Sequence, residues 1–139
     1  MTNVDFSGTY LSEESIQFLA NNLTSMVEKL NLANLYDVKD DHVKTLVKRC
    51  DKLSLLILRQ TPITTLTPIV ENLENTLEKL DVSCCYSLTY AMLINLKAMS
   101  RLKVLNCSFC FCDSHPELLK KKMPNLRFEA FNVDEEEFP

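Results

Sequence analysis

The sequence predicts an α/β solenoid, in which short strands form a parallel sheet and helices cover one side of it. Three observations predict this fold class. A leucine pattern, L-x-x-L-x-L, recurs along the chain at nearly constant intervals. Each occurrence is followed by a segment whose apolar residues have helical spacing. The 139 residues also include a single glycine, which is too few for the many tight turns of hairpin-rich β folds.

The first positions of four successive patterns are 26, 24 and 25 residues apart. The patterns are Val27-x-x-Leu30-x-Leu32, Leu53-x-x-Leu56-x-Leu58, Leu77-x-x-Leu80-x-Val82 and Leu102-x-x-Leu105-x-Cys107. A further step of 24 residues reaches Leu126 in NLRFEAF, and a step of 26 residues back from Leu30 reaches Val4. We therefore predict a leucine-rich repeat array of about six repeats of 24–26 residues, the first and last incomplete. Such an array forms a short horseshoe, with a parallel β-sheet on the concave face and α-helices on the convex face.

Each repeat has a strand half and a helix half. The L-x-L part alternates with period two, as a short strand with one buried face does. Helix starts are marked by residues that suit a first turn, such as the capping hydroxyl of Ser12 or the proline that follows Thr67. Five helices are predicted, beginning at Ser12, Asp40 or Asp41, Thr67–Pro68, Thr89 and Ser114. We expect one repeat domain over residues 1–131 and an acidic C-terminal tail over residues 132–139.

Composition excludes several classes of function. The net charge is −4 and the only basic run is Lys120–Lys122, so a nucleic-acid surface, which needs a cationic stripe, is not expected. No apolar stretch is long enough to span a membrane. The N-terminal segment lacks the basic and apolar regions of a secretory signal. Six cysteines in a chain without such a signal favour a reducing compartment. We therefore expect a cytoplasmic and/or nuclear protein.

The cysteines raise the question of a metal or redox site, because Cys107 and Cys110 form a CxxC. Cys85 and Cys110 fall on the inward-turning ninth position of their repeats, Cys107 replaces a leucine, and Cys50 follows a helix. These four are predicted to be buried, as small apolar residues are. A zinc site would have to add Cys84, Cys112 and His115, and it is the less favoured interpretation, as is a catalytic thiol. His42 and His115 lie near helix starts, where we expect a solvated or capping role.

No catalytic grouping and no cofactor site is predicted, so we expect the protein not to be an enzyme. One glycine excludes a Walker loop and a dinucleotide fingerprint. Function in repeat arrays of this kind usually lies on the concave face, where apolar residues rimmed by charged ones are typical of a binding patch. The predicted partner contacts are Leu55, Ile57, Arg59, Lys79, Asp81, Val104 and Asn106. The alternative is that the C-terminal segment folds back, with Phe131 or Phe138 in the groove.

The N-terminal end of the predicted solenoid has no polar capping element ahead of its first strand. An uncapped end would expose core leucines. We therefore expect either a partner or a further segment of a longer protein to cover this end.

The segments VEKLNLANLYDVKDDHVKTLVKRCDKLSLLIL, LEKLDVSCCYSLTYAMLINLKAMSRLKVLN and PELLKKKMPNLRF resemble the cysteine-containing leucine-rich repeats of F-box proteins. The resemblance covers roughly residues 5–130, and LVKRCDKL and LLKKKMPNLRF are its most specific parts. It implies the substrate-recognition module of a cullin-RING ubiquitin ligase, which holds a substrate and catalyses nothing itself. The helical F-box that precedes the repeats in that family is not present in this sequence, so docking to the ligase adaptor is not supported.

Two other functions remain open from the sequence. One is a small repeat protein that acts as an assembly or adaptor factor, for example of a mitochondrial complex, unrelated to ubiquitination. The N-terminus lacks the Arg-rich presequence that would favour this function. The other, from a different class, is a zinc or thiol enzyme.

Overall fold

The structure of the chain is a computed structural model, which describes residues 2–110 and 116–131. Six strands lie in these ranges: β1 Thr2–Asp5, β2 Val27–Asn31, β3 Leu55–Ile57, β4 Lys79–Asp81, β5 Val104–Asn106 and β6 Arg127–Phe128. Five helices alternate with them: α1 Glu13–Asn22, α2 Asp40–Arg49, α3 Thr67–Leu73, α4 Tyr90–Leu93 and α5 Pro116–Lys122. A 3-10 helix, Ile94–Ala98, directly continues α4.

The strands form one sheet in the order β1-β2-β3-β4-β5-β6, and every neighbouring pair is parallel. The prediction of an α/β fold with a parallel sheet is confirmed. Because crossovers between parallel strands share one hand, helices that connect strands in sequential order lie on the same side of the sheet. Accordingly, α1 contacts α2 and α2 contacts α3, and the 3-10 helix contacts α3, α4 and α5. We call the covered side the helix face and the other side the open face.

Local sequence sets where the helices begin. The Ser12 side chain caps α1 by accepting a hydrogen bond from the Ser15 backbone N–H at 3.2 Å. At α2 the Lys39 backbone N–H donates to Nδ1 of His42 at 3.0 Å, so this histidine takes the capping role. His42 is buried, so the solvated alternative expected for it was wrong. His115 and the predicted helix start at Ser114 lie outside the described residues.

The core lies between the sheet and the helices. The second leucine of each pattern points to the helix face and is fully or almost fully buried, in a single apolar cluster with the helix residues. These leucines are Leu30, Leu56, Leu80 and Leu105. Each contributes about 2 kcal/mol relative to an exposed position. Within the described part of the chain, no helix is long and apolar enough to cross a membrane.

The chain leaves each of the first five strands through the same backbone turn. The third residue after the strand has a positive φ, between 57° and 71° in all five cases. These residues are Gly8, Asn34, Gln60, Cys84 and Phe109. Glycine and asparagine adopt this conformation readily, whereas the other three side chains are strained in it. The fold therefore repeats a turn that the residue types alone do not reveal.

Candidate functional site

The register of the strands arranges the open face in two rows that cross the sheet. The first row runs through six paired positions, Asn3, Lys29, Leu55, Lys79, Val104 and Arg127. The second row contains the last residue of five strands, Asp5, Asn31, Ile57, Asp81 and Asn106. Six of the seven predicted contact residues therefore lie in two adjacent rows, and Arg59 lies two residues beyond Ile57.

The centre of the open face is apolar. Leu55 and Ile57 form a cluster with Ala33 that is separate from the core, and the half-buried ring of Phe131 packs against it. Leu55 is 2% exposed and Ile57 is 1% exposed, although both point away from the helices. Nζ of Lys79 lies 6.0 Å from the centroid of the Phe131 ring, within reach of a cation–π interaction.

The chain therefore turns back after β6 and places Phe131 over β3. Of the two alternatives for this cluster, the structure has the one in which Phe131 lies on it. Phe138 and the rest of the predicted tail, residues 132–139, lie outside the described residues. Partner binding at Leu55 and Ile57 stays a prediction, and a partner would have to move Phe131 to reach them.

The second row has a structural role that the sequence analysis missed. In β1, β2, β4 and β5 the last residue is an aspartate or asparagine whose Oδ1 accepts the backbone N–H two residues further on, at 2.8–3.2 Å. This bond holds the chain as it leaves the strand. The strand β3 ends instead in Ile57, so this strand has an apolar surface where the others have a cap.

Asp81 and Arg59 form an ion pair at the edge of the apolar centre. Oδ1 of Asp81 accepts from the backbone N–H and the hydroxyl of Ser83 at 2.9 and 2.6 Å. Its Oδ2 accepts from Nε and Nη2 of Arg59 at 3.1 and 2.5 Å. The Asp81 side chain is fully buried, whereas the Arg59 side chain is 41% exposed. Of this pair, Arg59 is the partner that can meet another molecule.

The first row is basic on both sides of the apolar centre. Lys29 precedes Leu55 and Lys79 follows it, one strand away on either side. Arg127 lies at the far end of the row, with Nη1 3.6 Å from Oε1 of Glu129. None of the six residues of this row is acidic. The row therefore carries three cationic side chains, two of which lie next to the apolar centre.

The cysteines are placed largely as expected. Cys50, Cys85 and Cys110 are buried, whereas Cys107 is only half-buried, a partial correction to its predicted burial. Sγ of Cys85 donates to the carbonyl of Leu58 and Sγ of Cys110 to that of Val82, both at 3.1 Å. Burial raises the pKa of Cys50 to about 11. Burial also raises the pKa of Cys85. Raised pKa values disfavour the thiolate that nucleophilic or metal-binding cysteines need.

The CxxC does not gather other ligands within the described ranges. In residues 2–110 and 116–131, no group of three or more histidine, cysteine, aspartate or glutamate side chains is arranged to hold a metal ion. Cys112 and His115, two of the three residues that the zinc interpretation would add, lie outside these ranges.

The N-terminal end of the sheet has its own apolar surface. A groove of about 310 Å³ lies beside β1, lined by residues that include Phe6, Leu11, Phe18 and Leu19. Phe18 is 66% exposed. The expected cover for this end, a partner or a further segment, would lie on this groove, and it stays a prediction.

Neither the protein-family models nor the curated proteins include a match to this chain.

Proposed function

We propose that the chain is a non-catalytic protein–protein interaction module built of leucine-rich repeats, which binds a protein partner on its open face, the concave face of the horseshoe. The observation that carries the proposal is the apolar cluster of Ala33, Leu55 and Ile57. It lies on the side of the sheet opposite the core, where folding alone does not require large apolar side chains.

The exception at the end of β3 supports this function. Four strands end in a residue that caps the following turn, and loss of such a cap costs about 1 kcal/mol. In β3 the position is held by Ile57, which supplies apolar contact area instead. Apolar area with a polar rim, here Arg59 and Lys79, is the usual composition of an interface centre.

Within this class, we propose the substrate-recognition repeats of an F-box-type ubiquitin ligase receptor, acting in the cytoplasm or nucleus. The resemblance of the repeat sequences to those of F-box proteins supports this choice. In such a receptor the repeats would hold the substrate while other subunits carry out ubiquitin transfer. A repeat protein that assembles another complex would use the same face, and the identity of the partners distinguishes the two.

The test is affinity purification of the tagged full chain from cells, followed by mass spectrometry. Ile57→Asp places a charge in the apolar centre, and we expect it to remove the partner while the circular dichroism spectrum is unchanged. Tyr86→Ser is the matched control, because Tyr86 is an exposed aromatic residue outside the two rows. Recovery of ligase subunits supports the receptor, and one dominant partner without them supports an assembly factor. Equal recovery of all partners by Ile57→Asp and the wild type contradicts the use of this face.

A further inference from the structure

We propose that the open face binds an extended peptide segment in which an aromatic residue is followed by acidic residues, and that Phe131 competes with this segment for the apolar centre. The inference rests on the proposed function and names the chemistry of the partner and the residue that regulates access. It combines the position of one ring with the charges around it.

The structure already shows that the apolar centre accepts an aromatic ring. Phe131 packs on Ala33, Leu55 and Ile57. Lys79 lies against the ring at 6.0 Å. A partner's phenylalanine or tyrosine would contact the same apolar side chains and the same lysine. An aromatic anchor is therefore the best match to this site.

The charges of the first row select acidic neighbours for that anchor. Lys29 and Lys79 lie on either side of Leu55. Their Cα atoms are about 10 Å apart, because one strand separates theirs and adjacent strands are about 4.8 Å apart. The carboxylate nearest to the centre in the second row, Asp81, is neutralised by Arg59. Carboxylates that follow the anchor on an extended partner would lie within reach of the two lysines.

The same charges argue against a nucleic acid as the occupant. The whole chain is acidic, with a net charge of −4, and the outermost cation of the row, Arg127, is paired with Glu129. Phosphate binding draws on a continuous cationic stripe. Two lysines that flank an apolar centre instead match a peptide that carries both an apolar group and carboxylates.

The chain carries this peptide chemistry in its own sequence. Residues 131–138 read FNVDEEEF, an aromatic residue followed by four acidic residues. A competitor within the same chain lowers the apparent affinity for a partner by the fraction of molecules in which the site is open. The partner is therefore expected to bind more tightly once Phe131 is removed.

The direct test uses a fluorescent peptide with the sequence of residues 129–139, EAFNVDEEEFP, added to the full-length protein. We expect Phe131→Ala protein to bind it about tenfold more tightly than the wild type does. The matched control is Tyr86→Ala, which removes an exposed aromatic residue elsewhere and should leave the affinity at the wild-type value. Circular dichroism checks that each variant is folded.

Three further measurements test the charge requirement. A peptide with its four acidic residues Asp134–Glu137 replaced by their amides should bind Phe131→Ala protein at least tenfold more weakly, because the lysines then lose their partners. Replacing both lysines with glutamine in the Phe131→Ala protein should weaken binding of the acidic peptide by a similar factor. Raising the salt concentration should weaken only the acidic peptide.

Equal affinity of wild type and Phe131→Ala overturns the competition, and equal affinity of the acidic and amide peptides overturns the charge requirement. Absence of peptide binding to Phe131→Ala, or concentration-dependent dimerisation that fills the site with a second copy, overturns the whole inference. The proposed function is judged separately. It survives these results if Ile57→Asp still removes a cellular partner, and it fails if that variant keeps every partner even though the peptide binds.

Discussion

Arg59 donates from two of its nitrogens, Nε and Nη2, to a single oxygen of Asp81, at 3.1 and 2.5 Å. The other oxygen of Asp81 is held by Ser83. The two residues of the pair lie on adjacent strands or just beyond them, 22 positions apart in the chain. The pair thus ties the end of β3 to the end of β4 beside the apolar centre.

Asp81→Ala should therefore lower the free energy of unfolding by about 2 kcal/mol, because Ser83 loses its acceptor and Arg59 its partner. Urea unfolding measures this change. Asp5→Ala is the control, since Asp5 caps the equivalent turn after β1 but is exposed. This variant should lower the free energy of unfolding by clearly less than Asp81→Ala does. Equal losses in the two variants would mean that the ion pair adds nothing to the cap.

Phe131→Ala should lower the free energy of unfolding by about 1–2 kcal/mol, because the half-buried ring loses its apolar contacts with Ala33, Leu55 and Ile57. It should also increase the fluorescence of an added hydrophobic dye, since Leu55 and Ile57 become accessible. Unchanged dye fluorescence, with the fold intact, would show that Phe131 does not shield these residues in solution.

The pH dependence of stability should include a contribution from Glu78. A hydrogen bond from Lys103, together with its charge and that of Arg101, lowers the pKa of Glu78 below its usual value of 4.5. Because the folded-state pKa is the lower one, the stabilisation is complete above about pH 4.5 and is lost as the pH falls through the folded-state value. Glu78→Gln should remove this part of the pH dependence in acid unfolding curves.

The size of the Glu78 effect should stay below about 1 kcal/mol, because the carboxylate is partly exposed and its partners are solvated. The double variant Arg101→Gln, Lys103→Gln is the matched control and should flatten the same region of the curve. If the acid limb keeps its shape in both variants, the ion pairs contribute nothing to it.

Alkylation should separate the cysteines by burial. With its pKa raised to about 11, Cys50 is about 0.1% thiolate at pH 8 and is also shielded from reagent. Cys84 is half-buried and should react first of these two, as peptide mass spectrometry after timed alkylation will show. Comparable rates at Cys50 and Cys84 in folded protein would mean that Cys50 is not held in the core.

Two substitutions at equivalent turns should differ in their effect on stability. Gly8 has φ 71° and no atom within 4 Å of an added Cβ, so Gly8→Ala should cost about 1 kcal/mol through backbone strain alone. Gln60 has φ 57°, and Gln60→Gly should be neutral or stabilising because the strain is relieved. Thermal unfolding compares the two, and a loss at both positions would contradict the strain argument.

Sequence periodicity predicted the strands, because the spacing of leucines follows directly from which side of a strand is buried. Residues that suit a first turn predicted four of the helix starts. Periodicity did not predict the caps of Asp81 and Asn106, which were expected to contact a partner. Alternation tells which face a residue is on, but not whether its side chain bonds to its own backbone. The 3-10 helix Ile94–Ala98 was missed for a similar reason, since it shares its apolar pattern with α4.

The place of Phe131 could be stated only as one of two alternatives. Its contacts with Leu55 and Ile57 span more than 70 residues of sequence, and no local pattern encodes a contact of that range. Whether Phe131 covers the apolar cluster depends on how the chain turns after β6. That turn is seen only in the three-dimensional structure.

Each strand of this sheet is bonded only to the strand before it and the strand after it in the chain. A pulling force applied to the two ends of this sheet would thus load the hydrogen bonds of one terminal strand pair at a time. The molecule should peel apart from its edges in small steps, and it should offer little of the mechanical resistance of sheets whose terminal strands are neighbours and must shear together.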